Sequence, residues 1–85
     1  MDYLHQEYNA GPQNTIEVTL DRQANVMLLD SANYQRYRNG RDFRYVGGVA
    51  AVSPFRLRPP YYGVWHLCVD LGGGGGSIRA ASRLI

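Results

Sequence analysis

Residues 14–30 read "NTIEVTLDRQANVMLLD", and this stretch decides the fold class of the 85-residue chain. In its first half, Ile16, Val18 and Leu20 alternate with polar residues, which is the period-two pattern of a strand buried on one face. In its second half, four apolar residues run together from Val26 to Leu29, as is typical of a central strand covered on both faces. The stretch therefore predicts two strands of a packed β structure.

The remaining strands follow on both sides of this stretch. The segment "VWHLCVDL" (64–71) alternates, so we expect the Trp65 side to face the core and the side with His66, Cys68 and Asp70 to face away. The segment "FRYVGGVAAVSPFRL" (43–57) contains two short β-prone runs, interrupted at the glycine pair and at Pro54, where a bulge or a strand switch is expected. "DYLHQEY" (2–8) is either another strand or an ordered arm.

The end of the chain, "SIRAASRLI" (77–85), predicts one closing strand with Ile78, Ala80 and Leu84 inward. These segments together predict a single all-β domain over residues 1–85. Its architecture is a small antiparallel β-sandwich or partly open barrel of about six to seven short strands, with at most one short helical turn. That turn falls in "DSANYQRYRNG" (30–40), where Asp30 or Ser31 could cap a helix and Gly40 could end it, although a long loop fits equally well.

Composition and charge exclude several classes of protein. The net charge is +2, and all nine basic residues are arginine, which is too mild a charge to indicate a nucleic-acid partner. No apolar run approaches the roughly 20 residues that a membrane-spanning helix needs. With one cysteine and no signal-like N-terminus, a cytoplasmic location is expected.

The richest polar segment is "YQRYRNGRDFRY" (34–45), where arginines alternate with aromatic side chains. Guanidinium groups interleaved with aromatic rings suit phosphate, carboxylate or base stacking, so this segment is the candidate surface for a small anionic ligand, nucleotide-derived or glycan. The alternative is that these side chains only cover the outer face of a small sheet. The candidate residues are Tyr34, Arg36, Tyr37, Arg38, Arg41, Arg44 and Tyr45.

Two other features, the His66–Cys68 pair and the glycine run, resemble parts of known catalytic or binding sites but lack the remaining residues of such sites. His66 and Cys68 share one face of a strand and could begin a thiolate–imidazole or metal site, but the further ligands and the orienting partner are missing, Asp70 being the one conceivable choice. The five glycines of "VDLGGGGGSIR" (69–79) match neither the P-loop nor the dinucleotide pattern. We therefore expect no catalytic residue, metal or cofactor, and we interpret the glycine run as the tip of a hairpin between the tryptophan strand and the closing strand.

The order of these segments resembles a bacterial family called domain of unknown function 1883. The resemblance covers most of the chain and is carried by "LDRQANVMLLDSANYQRYRNG" (20–40), "YVGG" (45–48), "SP" (53–54), the Gly63-x-Trp65 pair and "VDLGG" (69–73) followed by an arginine-bearing last strand. It implies a compact β domain and brings no catalytic residues. In some longer relatives the domain precedes a TIR domain, which implies recognition or sensing beside a signalling partner.

The sequence thus favours a non-catalytic β-sandwich module that binds a protein partner or self-associates, because sheet edges of small β domains are covered by pairing. The alternative function is a sensor that holds a small anionic ligand on residues 34–45.

Overall fold

A computed structural model describes residues 3–72 and 76–85 of the chain. Seven strands and one helix form in the order β1 (Leu4–Ala10), β2 (Ile16–Leu20), β3 (Ala24–Asp30), α1 (Ser31–Arg38), β4 (Val46–Ala50), β5 (Phe55–Leu57), β6 (Gly63–Asp70) and β7 (Ala80–Leu84).

The strands form two antiparallel sheets that pack face to face. The four-stranded sheet has the order β1-β6-β3-β4 and the three-stranded sheet the order β5-β2-β7. Every pair of neighbouring strands is antiparallel. The predicted small antiparallel sandwich is confirmed, and the helical segment spans eight residues, about two turns.

The main hydrophobic core lies between the two sheets. β2 contributes Ile16 and Val18, which are fully buried, and the four-stranded sheet contributes Val26 and Leu28 together with Trp65. The indole Nε1 of Trp65 donates a hydrogen bond to the carbonyl oxygen of Tyr61 at 3.0 Å, so the buried ring leaves no polar atom unpaired. The alternation in residues 14–20 and 64–71 therefore predicted the core face correctly.

A second, smaller core lies on the other face of the four-stranded sheet, beneath α1. Met27 and Leu29 of β3 and Cys68 of β6 meet Tyr34 and Tyr37 of the helix there. This second layer explains why residues 26–29 are apolar without interruption, since β3 is covered by a sheet on one side and by a helix on the other.

The segment between β4 and β5 confirms the predicted strand switch at Pro54, but the interruption expected at the glycine pair is wrong, since β4 runs through Gly47 and Gly48 in continuous register with β3. β4 belongs to the four-stranded sheet and β5 to the three-stranded sheet, so the chain changes sheets across residues 51–54. Within β4, Gly47 has φ +124°, and a Cβ there would clash with the carbonyl oxygen of Val26. Only glycine fits this close approach of β4 to β3.

The hairpin predicted around the glycine run does not form between β6 and β7. β6 has β1 on one side and β3 on the other, so it has no free edge for β7, which pairs with β2 in the opposite sheet. The prediction of a hairpin was therefore wrong, since the two strands belong to different sheets. The middle of the run, residues 73–75, lies outside the described residues.

The first and last strands settle two further expectations. "DYLHQEY" contributes to a regular edge strand, β1, rather than to an irregular arm. In β7, Leu84 lies opposite the buried Ile16 and thus on the inward side, but it remains 40% exposed because β7 is an edge strand. Among residues 3–72 and 76–85, no helix is both long enough and apolar enough to cross a membrane.

The outer face of the three-stranded sheet holds one buried carboxylate. Glu17 lies between Arg56 of β5 and Arg83 of β7, its direct cross-strand neighbours, and accepts a hydrogen bond from each guanidinium at 3.1 and 2.9 Å. The hydrogen bond from Arg83 lowers the pKa of Glu17, and the guanidinium of Arg56 adds to this effect. Two of the nine arginines are thus used inside the fold.

Candidate functional site

The candidate site is built on α1, whose two ends are fixed by specific hydrogen bonds. Asp30 is the N-cap, and its carboxylate accepts from the backbone N–H of Asn33 at 2.8 Å. This bond is the main reason that the pKa of Asp30 is lowered. At the other end Gly40 has φ +69°, and the N–H of Arg41 donates to the carbonyl oxygen of Arg36 at 2.9 Å. These are the features of a Schellman cap, which predicts a sharp end to the helix.

The segment that follows α1 folds back along the helix. The backbone N–H of Arg44 donates to the side-chain oxygen of Asn33 at 2.8 Å, which joins the segment to the first turn of the helix. The ring of Phe43 packs edge-on against Tyr37 at 5.1 Å between centroids and lies 5.7 Å from the ring of Tyr45. Residues 31–45 therefore form one frame on the sheet rather than a helix followed by a free loop.

This frame separates the seven predicted ligand-binding residues into two groups. Arg36, Arg38, Arg41 and Arg44 are exposed, and Tyr45 is 49% exposed. We call these five residues the arginine surface. Tyr34 and Tyr37 of α1 are instead buried against the sheet, because they supply the apolar stripe with which the helix packs. The two tyrosines thus contribute to the core and not to the exposed surface.

Beneath α1, three rings form a polar stack that the sequence did not reveal. Nε2 of His5 and Nδ1 of His66 are 2.9 Å apart, and the ring of Tyr34 lies parallel over both, with centroids at 4.5 and 4.2 Å. On the other side of Tyr34, the guanidinium carbon of Arg38 is 5.7 Å from the ring centroid. The stack connects the exposed cation to the buried face of the sheet.

The remaining polar atoms of the stack are paired with neighbours. Nε2 of His66 is 3.1 Å from Oγ of Ser31 and 3.8 Å from a carboxylate oxygen of Glu7, and the hydroxyl of Tyr34 is 3.0 Å from that of Tyr3. Burial, together with the nearby His5, lowers the pKa of His66. Burial and the hydrogen bond with Tyr3 raise the pKa of Tyr34 to about 12. Since one histidine must donate to the other, the pair keeps this bond only while at least one ring nitrogen in it is unprotonated.

The carboxylate of Asp70 forms the second polar centre under the helix. It accepts from the hydroxyl of Tyr37 at 2.6 Å, from the amide of Asn25 at 2.9 Å and from the backbone N–H of Gly72 at 2.8 Å. Burial, and then the hydrogen bond to Asp70, raise the pKa of Tyr37. The carboxylate therefore joins the helix, β3 and the start of the glycine run, and its acceptor atoms are occupied by the fold itself.

The thiol beside these groups is inaccessible. Cys68 has no exposed surface, and burial, with a smaller effect of the Asp70 charge, raises its pKa to about 12. In the described part of the chain, no group of three histidine, cysteine or acidic side chains is placed to hold a metal ion. His66 and Cys68 do share a face, as expected, but His66 binds His5 and Ser31, and Cys68 packs with the tyrosines of α1.

One cleft opens on another side of the molecule, between the edge strands β1 and β7. Its volume is about 390 Å³, and Leu4, Gln6 and Ser82 lie at its walls together with Val18 and Leu67. The hydroxyl of Tyr8 meets Oγ of Ser82 at 2.6 Å, which joins the two edges. The cleft shares no residue with the arginine surface.

The chain is similar to a known protein family over nearly its whole length. The family model described as "Domain of unknown function (DUF1883)" matches residues 1–84. No curated protein and no solved structure matches the chain significantly.

Proposed function

The chain belongs to the DUF1883 family, and from this premise we propose that it is a non-catalytic interaction module whose arginine surface binds an acidic partner. The proposal rests on the ion pairs that the arginines of the described residues form. In residues 3–72 and 76–85, none of Arg36, Arg38, Arg41 and Arg44 forms one, whereas Arg56 and Arg83 of the three-stranded sheet both pair with Glu17.

Charge is concentrated at this surface. Residues 31–45 hold four arginines and one aspartate, a net charge of +3, while the whole chain has +2. The rest of the chain is therefore slightly acidic. Exposed guanidinium groups without internal carboxylates are free to bind carboxylates or phosphates of another molecule in bidentate fashion.

The geometry favours an extended partner over a single small ion. Arg36 and Arg38 are two residues apart on a helix, so their side chains leave the axis about 200° apart. They cannot converge on one anion, so a partner that contacts both must extend around the helix, as an acidic peptide or an acidic protein surface can. Because the caps and the sheet hold the frame in place, little backbone ordering entropy opposes binding, and the cost that remains is the ordering of the arginine side chains.

The buried groups support a module without catalysis. Cys68 is fully buried with a raised pKa, and Asp70 is occupied by three donors within the chain. A nucleophile needs access to its substrate and an activating neighbour. Neither Cys68 nor Asp70 has both.

A small anionic ligand is the second candidate function, and one observation favours it. Tyr45 is 49% exposed beside Phe43, with Arg44 adjacent in the chain. An exposed aromatic ring next to a guanidinium group could stack on a nucleotide base or a sugar. We propose this role as the alternative.

Binding of a labelled oligoglutamate peptide, followed by fluorescence anisotropy, tests the main proposal. The double variant Arg38→Gln/Arg41→Gln should weaken binding about tenfold, since exposed ion pairs contribute up to about 1 kcal/mol each. The control variant Arg58→Gln/Arg79→Gln removes the same charge from exposed positions outside residues 31–45. An equal loss in both double variants would show non-specific attraction and refute the assignment of the surface.

A thermal-shift screen with nucleotides and sugars distinguishes the small-ligand sensor from the module that binds an acidic partner. A ligand that stabilises the parent chain and not the variant Tyr45→Ala would favour the sensor. If no compound raises the melting temperature and peptide binding depends on Arg38 and Arg41, the results favour the module that binds an acidic partner over the sensor.

A further inference from the structure

The outer edge of β1 is the longest unpaired strand edge in the described part of the chain. β1 pairs with β6 over all seven residues, Leu4 to Ala10, and nothing within the four-stranded sheet pairs with its other side. The remaining edge strands are shorter, with five residues in β4 and β7 and three in β5. Proteins usually block an edge of this length with proline, charged side chains or a bulge. β1 contains no proline, its register with β6 is continuous, and its one acidic side chain, Glu7, has an imidazole, His5, two positions away on the same face of the strand.

The side chains of β1 complement each other in one antiparallel register. If two copies pair about Gln6, Leu4 lies opposite Tyr8 of the other copy and His5 lies opposite Glu7 of the other copy, each pair occurring twice. Pairing about Glu7 would place two carboxylates directly opposite each other, and pairing about His5 would oppose two imidazoles. Like groups in directly opposed positions destabilise a strand pair, whereas unlike charges and apolar pairs stabilise it.

We propose that β1 pairs with β1 of a second copy about Gln6, which joins two four-stranded sheets into one continuous sheet. The surface is separate from the arginine surface, so the inference stands independently of the proposed function. The partner is a second copy of this chain, because the register that fits is symmetric and uses only the residues of β1.

The side chains of β1 that would meet across the dimer axis can form additional hydrogen bonds and apolar contacts. Among residues 3–72 and 76–85, Nδ1 of His5 has one partner, the Tyr34 hydroxyl at 3.5 Å, the outer limit for a hydrogen bond. The carboxylate of Glu7 approaches His66 no closer than 3.8 Å, so it can accept from an imidazole opposite. On the other face of the strand, Leu4 is 41% exposed at the cleft between β1 and β7, and the ring of Tyr8 of the second copy would cover it.

Disulfide trapping tests the register. In the predicted dimer, position 6 lies opposite itself with Cα atoms about 4.5–5.5 Å apart, which a disulfide can span. The variant Gln6→Cys should therefore form a covalent dimer under mild oxidation on the order of tenfold faster than the control Asn9→Cys, which lies on the same strand but opposite Tyr3 of the second copy. Cys68 can remain because it is buried. Equal rates at positions 6 and 9, or the fastest trapping with Glu7→Cys, would overturn the proposal.

Sedimentation equilibrium provides a measurement without new cysteines. The parent chain should show a monomer–dimer equilibrium, and Gln6→Glu, which opposes two carboxylates at the symmetry axis, should weaken it about fivefold. Gln13→Glu adds the same charge at an exposed position outside β1 and should leave the equilibrium unchanged. A parent chain that stays monomeric at every concentration, or equal weakening by both variants, would overturn self-pairing through β1, while the peptide experiment above would be unaffected.

Discussion

Removing the hydroxyl of Tyr37 should destabilise the protein more than any other single-atom change to its tyrosines. This hydroxyl is buried and donates to Asp70 at 2.6 Å, while the other carboxylate oxygen of Asp70 accepts from Asn25 and from the backbone of Gly72. Tyr37→Phe leaves one oxygen of a buried carboxylate without its donor. The ring itself keeps its packing against the sheet, so the change isolates the hydrogen bond.

The expected loss is about 2–3 kcal/mol in the free energy of unfolding. A hydrogen bond to a charged group contributes about 1.5–3 kcal/mol, and an unsatisfied buried acceptor adds a desolvation penalty. In the background Asp70→Asn the carboxylate charge is absent, so the same Tyr37→Phe change should cost only about 1 kcal/mol. The double-mutant cycle should therefore give a coupling free energy of about 1–2 kcal/mol between the two side chains.

Urea unfolding followed by the fluorescence of Trp65, with circular dichroism as a second probe, measures these free energies. Tyr62→Phe is the matched control, because Tyr62 is 74% exposed and its hydroxyl should contribute nothing measurable. Additive effects of Tyr37→Phe and Asp70→Asn, or a cost of Tyr37→Phe no larger than that of the control, would refute the role assigned to the bond.

Three further predictions follow from burial, charge and backbone geometry. Cys68, buried and with a pKa raised to about 12, should not react with a thiol reagent at neutral pH until urea unfolds the chain, and rapid labelling of the native protein would contradict its burial. Because the pKa of His66 is lowered from 6.5, the unfolded state binds more protons there, so the free energy of unfolding should fall as pH drops below 6.5. In the variant His66→Gln the free energy of unfolding should fall less over the same pH range, which urea unfolding midpoints measured at several pH values would show. If the dependence of the unfolding free energy on pH is the same in the variant, His66 is not its source. Gly47→Ala should cost about 3 kcal/mol or more through its clash with β3, whereas Gly40→Ala, at φ +69° with open space around it, should cost about 1 kcal/mol; equal costs in thermal unfolding would disprove the close approach.

The residues that carry the family resemblance have structural tasks in this chain. Asp30 caps α1, Asn25 binds Asp70, and Trp65 fills the core between the sheets. The resemblance therefore rests on the scaffold. This directs the search for function to surfaces outside the shared pattern.

Local features were predictable because their causes lie within a few residues of sequence. Alternation in residues 14–20 and 64–71 gave the faces of β2 and β6, and the apolar run 26–29 gave a strand covered on both sides. Asp30 and Gly40 mark the two ends of the helical segment, as their residue types predict, although the same residues are also compatible with a loop. The length of the helix depended on its packing, since Tyr34 and Tyr37 are stabilised by a sheet that the local sequence does not contain.

The fold class, the core faces and the position of the arginines could be predicted from the sequence, because periodicity, caps and charge are properties of neighbouring residues. The contact of His5 with His66, the contact of Tyr37 with Asp70 and the pairing of β7 with β2 instead of β6 arise only in the folded chain. These outcomes depend on which strands share an edge. Strand order is set by the packing of residues that are distant in sequence, since filling both edges of β6 with β1 and β3 left β7 no place beside the strand it follows in the chain.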